Sequence, residues 1–280
     1  MKKVSFFLCT LLALAVLAAC EKECEECKEC DLTKDSTCNT DTIYIPPPPD
    51  ISCKVNLSKG LLAYYPFNGN FNDESGNGNN ATAKNGAVIT TDFLGRPGGA
   101  AGFDGINDYL IVPGSSKLNA DSITVSFQIF INNTNRYYAA ISRLNFETAQ
   151  SAVFNVHQSS VTDTFWTFSV PPGTDNCTRV YTTYDSSIYA FSKGPIKAGR
   201  WYNIVVSFAG GVQKIYIDGV LEASKTRPAS SAKKCDNADL VIGGHWKNDI
   251  MSLDGKMDEV RLYNRVLNDC EIDKLAHAWK

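Results

Sequence analysis

Thiols are the first residues in this chain with chemistry to offer. Ten cysteines stand in 280 residues. Cys9 lies in an apolar run and Cys20 closes it. The other eight are Cys24, Cys27, Cys30, Cys38, Cys53, Cys177, Cys235 and Cys270. In an exported chain they make disulfides, and eight cysteines allow 105 pairings. Cys177 and Cys235 both sit in polar loop sequence and form the first expected pair. Cys53 and Cys270 flank the first and last expected strands and form the second. The spacing Cys24-x-x-Cys27-x-x-Cys30 leaves two readings open. Thiolates so spaced bind zinc or an iron–sulfur cluster. Export and the neighbouring glutamates, which raise thiol pKa values, favour disulfides.

Carboxylates come next. The loop Asn72-Asp73-Glu74-Ser75-Gly76-Asn77-Gly78-Asn79 is rich in hard oxygen ligands, which suit calcium. Asp258 alternates with Val260 and Leu262, so it is expected to point inward with them. A carboxylate buried there needs a cation or several backbone donors. Asp73, Asn79 and Asp258 are therefore either calcium ligands or caps for loop amides. Catalysis on glycosides needs two carboxylates roughly 5–5.5 Å apart for retention. Glu271-Ile272-Asp273 is the nearest text, and it reads as the start of a helix. Glu259 beside Asp258 is expected to face the other way.

Sugar recognition needs exposed rings with polar neighbours. Tyr137, Tyr138, Trp166, Tyr181, Tyr184, Tyr189 and His245-Trp246 are the candidates, and Tyr181, Tyr184 and Trp246 stand out as glycan contacts. Trp201 is expected in the core. The three histidines, His157, His245 and His277, have no ligand spacing. No nucleophile elbow, P-loop or dinucleotide fingerprint is present.

Lys2-Lys3, an apolar stretch from Val4 to Val16 and Leu17-Ala18-Ala19-Cys20 make a secretory signal. The apolar stretch is shorter than the ~18–20 residues of a spanning helix. Leu17 to Cys20 resembles the lipobox of a bacterial lipoprotein. The resemblance implies a signal peptide over 1–19, cleavage before Cys20 and acylation of Cys20. Each buried methylene adds roughly 0.8 kcal/mol, so several acyl chains hold a membrane firmly. The acids just after Cys20 resemble signals that send lipoproteins to the outer face of the outer membrane.

Charge is uneven. The formal net charge is -3. Residues 21–50 hold nine acids and three lysines, while residues 51–280 hold 21 acids and 22 bases. The near-neutral bulk argues against nucleic acid as a partner. Residues 20–50 have almost nothing apolar to bury and read as a flexible tether. Pro46 to Pro49 stiffen its end.

The elements that must position these residues are strands. Ile123, Val125, Phe127, Ile129 and Ile131 alternate with Thr124, Ser126 and Gln128, so one face is buried. Trp201 to Phe208 and Val212 to Ile217 flank Gly210-Gly211, a hairpin signal, and Asp218-Gly219 makes another. Similar runs recur at 61–67, 100–112, 137–144, 151–157, 164–170, 238–243 and 256–263. Many short strands imply a sandwich. One helix is expected from Asp269 to Ala278, with Asn268 as N-cap and Glu271 closing the capping box.

One ordered series of motifs carries a family resemblance. It begins with Gly60 to Gly69 (GLLAYYPFNG) and the Asn72–Asn79 loop. Gly102-Phe103-Asp104-Gly105 follows, with Asp108-Tyr109-Leu110. Then come Trp201 to Phe208, Ile215-Tyr216-Ile217-Asp218-Gly219, and Gly255 to Arg265 (GKMDEVRLYNR). In this order they resemble the laminin G-like branch of the concanavalin A-like lectin/glucanase superfamily. The resemblance covers about residues 57–280. It implies an all-β jelly-roll of two antiparallel sheets whose first and last strands are adjacent. That adjacency would bring Asp73 and Asn79 toward Asp258. It also implies glycan or protein binding, often with a structural calcium. The superfamily's glucanases carry Glu-x-Asp-x-Glu on a strand, and this chain lacks it.

The sequence thus reads as a lipid-anchored outer-membrane protein exposing one jelly-roll, residues 51–280. Its expected partner is a polysaccharide or glycoprotein. A protein-binding adhesin and a diverged glycoside hydrolase are the alternatives.

Overall fold

A computed structural model describes residues 53–159, 164–171, 177, 188–227 and 231–278. Cys20, the Cys24–Cys27–Cys30 run, the tether, Tyr181 and Tyr184 lie outside the described residues. Cys53–Lys280 forms one compact unit.

Two antiparallel sheets make a sandwich. The larger has the order β13 (Val220–Thr226), β12 (Val212–Ile217), β11 (Trp201–Ala209), β6 (Ile123–Ile131), β15 (Asp254–Tyr263), β4 (Ala100–Asp104) and β3 (Val88–Thr90). The first strand, β1 (Leu61–Tyr65), also pairs with the last, β15. It takes Val260 to Tyr263, while β4 takes Asp254 to Met257. The smaller sheet has the order β10 (Tyr189–Phe191), β9 (Trp166–Ser169), β8 (Phe154–Gln158), β7 (Ala139–Leu144), β14 (Asp239–Ile242), β5 (Tyr109–Val112) and β2 (Thr82–Lys84).

The core lies between the sheets and follows the expected alternation. Ile123, Val125, Phe127, Ile129 and Ile131 are all at most 1 % exposed. Ile204, Val206 and Phe208 join them from β11. Phe127 meets the fully buried Trp166 of the other sheet edge-on, with ring centres 6.1 Å apart. Truncating such a ring costs roughly 3–5 kcal/mol, because the neighbours relax only partly into the hole.

The one α-helix among the described residues, α1 (Asp269–His277), lies over the outer face of the larger sheet. Its start is the expected capping box. Asn268 Oδ1 accepts from Glu271 N, and Glu271 accepts from Asn268 N. Ile272 and Leu275 pack on Val205, Tyr216 and Tyr263. Two disulfides close the unit, Cys53–Cys270 and Cys177–Cys235, both as expected from the sequence.

Candidate functional site

On the smaller sheet, Val156, Phe168 and Ala190 point into the core. Period two therefore turns Asn155, His157, Thr167, Ser169, Tyr189 and Phe191 to the outer face. The register aligns them in two rows. Ser142, Asn155, Ser169 and Tyr189 form one, and Ala139, His157, Thr167 and Phe191 form the next. This is an unusual amount of polarity for buried strands. Ser142, Asn155, Thr167 and Ser169 are each at most 2 % exposed. Buried polar groups must find partners. Ser142 Oγ lies 2.8 Å from Asn155 Oδ1 and 3.2 Å from Gly244 O.

His157 is the chemical centre of this face. Its Nδ1 stands 2.6 Å from Thr167 Oγ1. Its half-buried ring stacks on Tyr189 at 5.5 Å and 17°. Burial lowers its pKa to about 3, and the charge of His245 adds to the effect. Burial alone lowers His245 to about 4. Both imidazoles are neutral at pH 7, so the face offers hydrogen bonds without cationic charge.

The sequence candidates distribute unevenly around it. Trp246 is half-buried and rests on Leu144, Ala149 and Ala152. Leu144 lies two residues from Ser142, so Trp246 flanks the same face. Tyr189 is there too, under His157. Tyr137 is 53 % exposed, whereas Tyr138 and Trp166 are core residues. Sequence reasoning placed no role on His157. The signal available was a histidine at period two from Asn155, alternating with the apolar Phe154 and Val156.

Trp201 departs from expectation. It is half-buried on the outer face of the larger sheet, tilted against Phe130 at 5.6 Å and edge-on to Phe93 at 6.1 Å. The core alternation in β11 starts one residue later, at Tyr202.

Asp258 departs more sharply. It is 2 % exposed, but it does not share a face with Val260 and Leu262. Its pairing with β6 shifts register between Asp258 and Arg261, and Glu259 adopts φ 53°. A bulge inserts one residue and reverses the alternation. Met257, Val260 and Leu262 point into the core, so Asp258 faces outward, buried near Asp92 and Arg96. Burial, aided by the charge of Glu259, raises its pKa to about 8. The same bulge lets Glu259 and Asp258 sit as electrostatic neighbours, against the sequence expectation. Glu259 accepts from Tyr64 OH at 3.0 Å and pairs with Arg261.

The calcium candidates fare differently from one another. Asp73 accepts from three backbone amides, those of Tyr64, Ser75 and Asn79, at 2.9 Å each. Asn79 Nδ2 donates to Leu62 O at 2.8 Å. Both pin the loop to β1. Asp92 is held ionised. Burial resists this, but the Arg96 and Leu94 amides and the Arg96 side chain outweigh it and lower its pKa. Among the described residues no three His, Cys, Asp or Glu side chains gather as a metal site. The acid Glu271 caps α1 and binds Arg265, so it is engaged in structure.

A family model described as the concanavalin A-like lectin/glucanases superfamily matches residues 103–273. No curated protein matches the sequence. Among solved structures, domain 4 of AbnA, a GH43 extracellular arabinanase from Geobacillus stearothermophilus solved with arabinotriose, is 22% identical with a TM-score of 0.52. The match covers 78% of this chain and 98% of that one. The binding domain of Paraclostridial Mosquitocidal Protein 1 is 16% identical with a TM-score of 0.60, covering 80% of this chain and 53% of that one. The binding domain of Botulinum Neurotoxin DC, solved with SialylT, is 11% identical with a TM-score of 0.55 and the same coverage. The chain thus spans about half the length of the toxin binding domains.

Proposed function

Because this chain belongs to the concanavalin A-like lectin/glucanase superfamily, we propose that its jelly-roll is a lectin-like module that binds a polysaccharide or glycoprotein. The observation that carries this reading is His157, partly exposed on the outer face of the smaller sheet and held there by the buried Tyr189 and Thr167. A neutral imidazole edge flanked by the half-buried Trp246 offers a sugar ring both a hydrogen-bonding group and an aromatic neighbour. The arabinotriose on the arabinanase domain and the SialylT on the neurotoxin domain support a sugar ligand.

The module binds without cutting. Glu271 is a helix cap, and Asp258 is buried beside a bulge. The chain is presented at the cell surface through lipid on Cys20, with residues 20–50 as tether, and it does not engage nucleic acid. Many anchored copies would add avidity to a modest single-site affinity. A calcium ion would sit best at Asp258, since Asp73 and Asn79 are engaged with backbone. There it would compensate a buried carboxylate.

The test is a glycan array probed with the full chain, with and without calcium, beside Trp246→Ala. Binding to a set of oligosaccharides, weakened in the variant, is the expected result. A silent array with capture of a surface protein would instead favour the adhesin reading.

A further inference from the structure

We infer that His157 presents a bare lone pair on Nε2 to the ligand, so that this atom takes a sugar hydroxyl and turns away a carboxylate or sulfate. The inference rests on the glycan reading above and sharpens it.

The hydroxyl of Thr167 has one proton. Its oxygen lies 2.9 Å from the backbone oxygen of His157 and 2.6 Å from Nδ1 of the same residue. A carbonyl only accepts, so the hydroxyl proton must go to it. Otherwise two acceptors would face each other at 2.9 Å. Thr167 then accepts from Nδ1, which therefore carries the ring hydrogen. That fixes the tautomer and leaves Nε2 as the acceptor. Stacking on Tyr189 holds the ring plane, and β8–β9 pairing holds the backbone on both sides. Among the described residues Nε2 makes no hydrogen bond, and His157 is only partly buried.

A sugar hydroxyl can donate to that nitrogen. A carboxylate or sulfate cannot, because it has only lone pairs to offer. Protonating the ring would remove the conflict, but burial opposes it and keeps the imidazole neutral down to a pH of about 3. Thr167 is thus a positioning residue. It touches no ligand and decides which nitrogen the ligand meets.

Two measurements on the full chain test this. One is an array pairing neutral oligosaccharides with their uronic-acid and sialylated counterparts. The other is proton–nitrogen NMR of the histidine side chains. The expected result is a neutral ligand bound about tenfold better than the counterpart in which a carboxylate replaces the contacting hydroxyl, one hydrogen bond's worth. His157→Phe, which keeps the stack, should lose about the same factor. Thr167→Val should move the ring hydrogen and lose binding, and Thr167→Ser should restore both. A hydrogen on Nε2 in the parent chain overturns the inference, as does a full set of acidic counterparts bound as well as or better than their neutral parents. Neutral binding unchanged in His157→Phe overturns it while the glycan reading stands. No sugar bound at all overturns both.

Discussion

Arg265 holds Glu271 with both terminal nitrogens, at 2.7 and 2.8 Å. The same guanidinium donates to the backbone oxygens of Lys59 and Asn56 at 2.8 Å each. One side chain thereby ties the entry segment, the end of β15 and the start of α1. Glu271 is 2 % exposed and Arg265 21 %. Glu271→Ala should cost about 2–3 kcal/mol, less than the roughly 3–5 kcal/mol of a fully buried pair, because Arg265 keeps contact with water. Urea unfolding measures it, and a loss under about 0.5 kcal/mol would contradict it.

The same carboxylate sets an acid limb. Burial resists its ionisation, but Arg265 and the amides of Asn268 and Asn56 outweigh it and hold its pKa below the usual range. The folded pKa lies below the unfolded one. The stabilisation is thus present above the unfolded pKa and lost as pH falls through the folded one. Melting temperature should drop below about pH 4. Glu271→Gln should be less stable at neutral pH, and its deficit should shrink as the pH falls.

Asp258 works in the opposite sense. Its folded pKa of about 8 lies far above the unfolded value of 3.8. The folded chain holds the extra proton between them, so stability falls as pH rises through that window. Asp258→Asn should melt several degrees higher than the parent at pH 8, and the gap should close toward pH 4. Calcium should raise the parent's melting temperature at pH 8 and leave Asp258→Asn unmoved. Asp73→Asn should keep the calcium response while losing stability. A calcium response that survives in Asp258→Asn would move the ion elsewhere.

Removing the disulfides separately should give unequal losses. Cys53–Cys270 spans 217 residues and Cys177–Cys235 spans 58. Chain entropy in the unfolded state puts the two at about 5 and about 4 kcal/mol. Calorimetry of the paired serine variants measures both.

Gly243 sits at φ 73°, and a Cβ there would run into the Phe103 ring. Gly243→Ala should destabilise by about 2 kcal/mol or more, combining backbone strain with overpacking. A neutral result by thermal melting would show that the β14 end repacks freely.

Local chemistry made much of this domain legible before any coordinates. The alternation of β6, the Gly210-Gly211 and Asp218-Gly219 turns and the Asn268–Glu271 box depend on residues close in sequence. The two cysteine pairs followed from the neighbours of each thiol. The bulge at Glu259 did not show, because a bulge is a disagreement between two strands and only one is present in any stretch of text. That single insertion reversed the reading of Asp258. Trp201 was misread because strand alternation does not announce which residue opens it. His157 was passed over because its meaning lies in Thr167 and Tyr189, ten and 32 positions away.

Cys53 is the first described residue, and its sulfur is bonded to the head of α1 just beyond the last strand. Tension applied at that point divides between two routes. One is β1, paired along four residues of β15. The other is covalent and leads through Cys270 toward β15, which lies between β6 and the β1 and β4 strands. A load that would unzip an outlying strand one bond at a time is thus carried into the middle of the larger sheet. There several strands must shear together before anything gives.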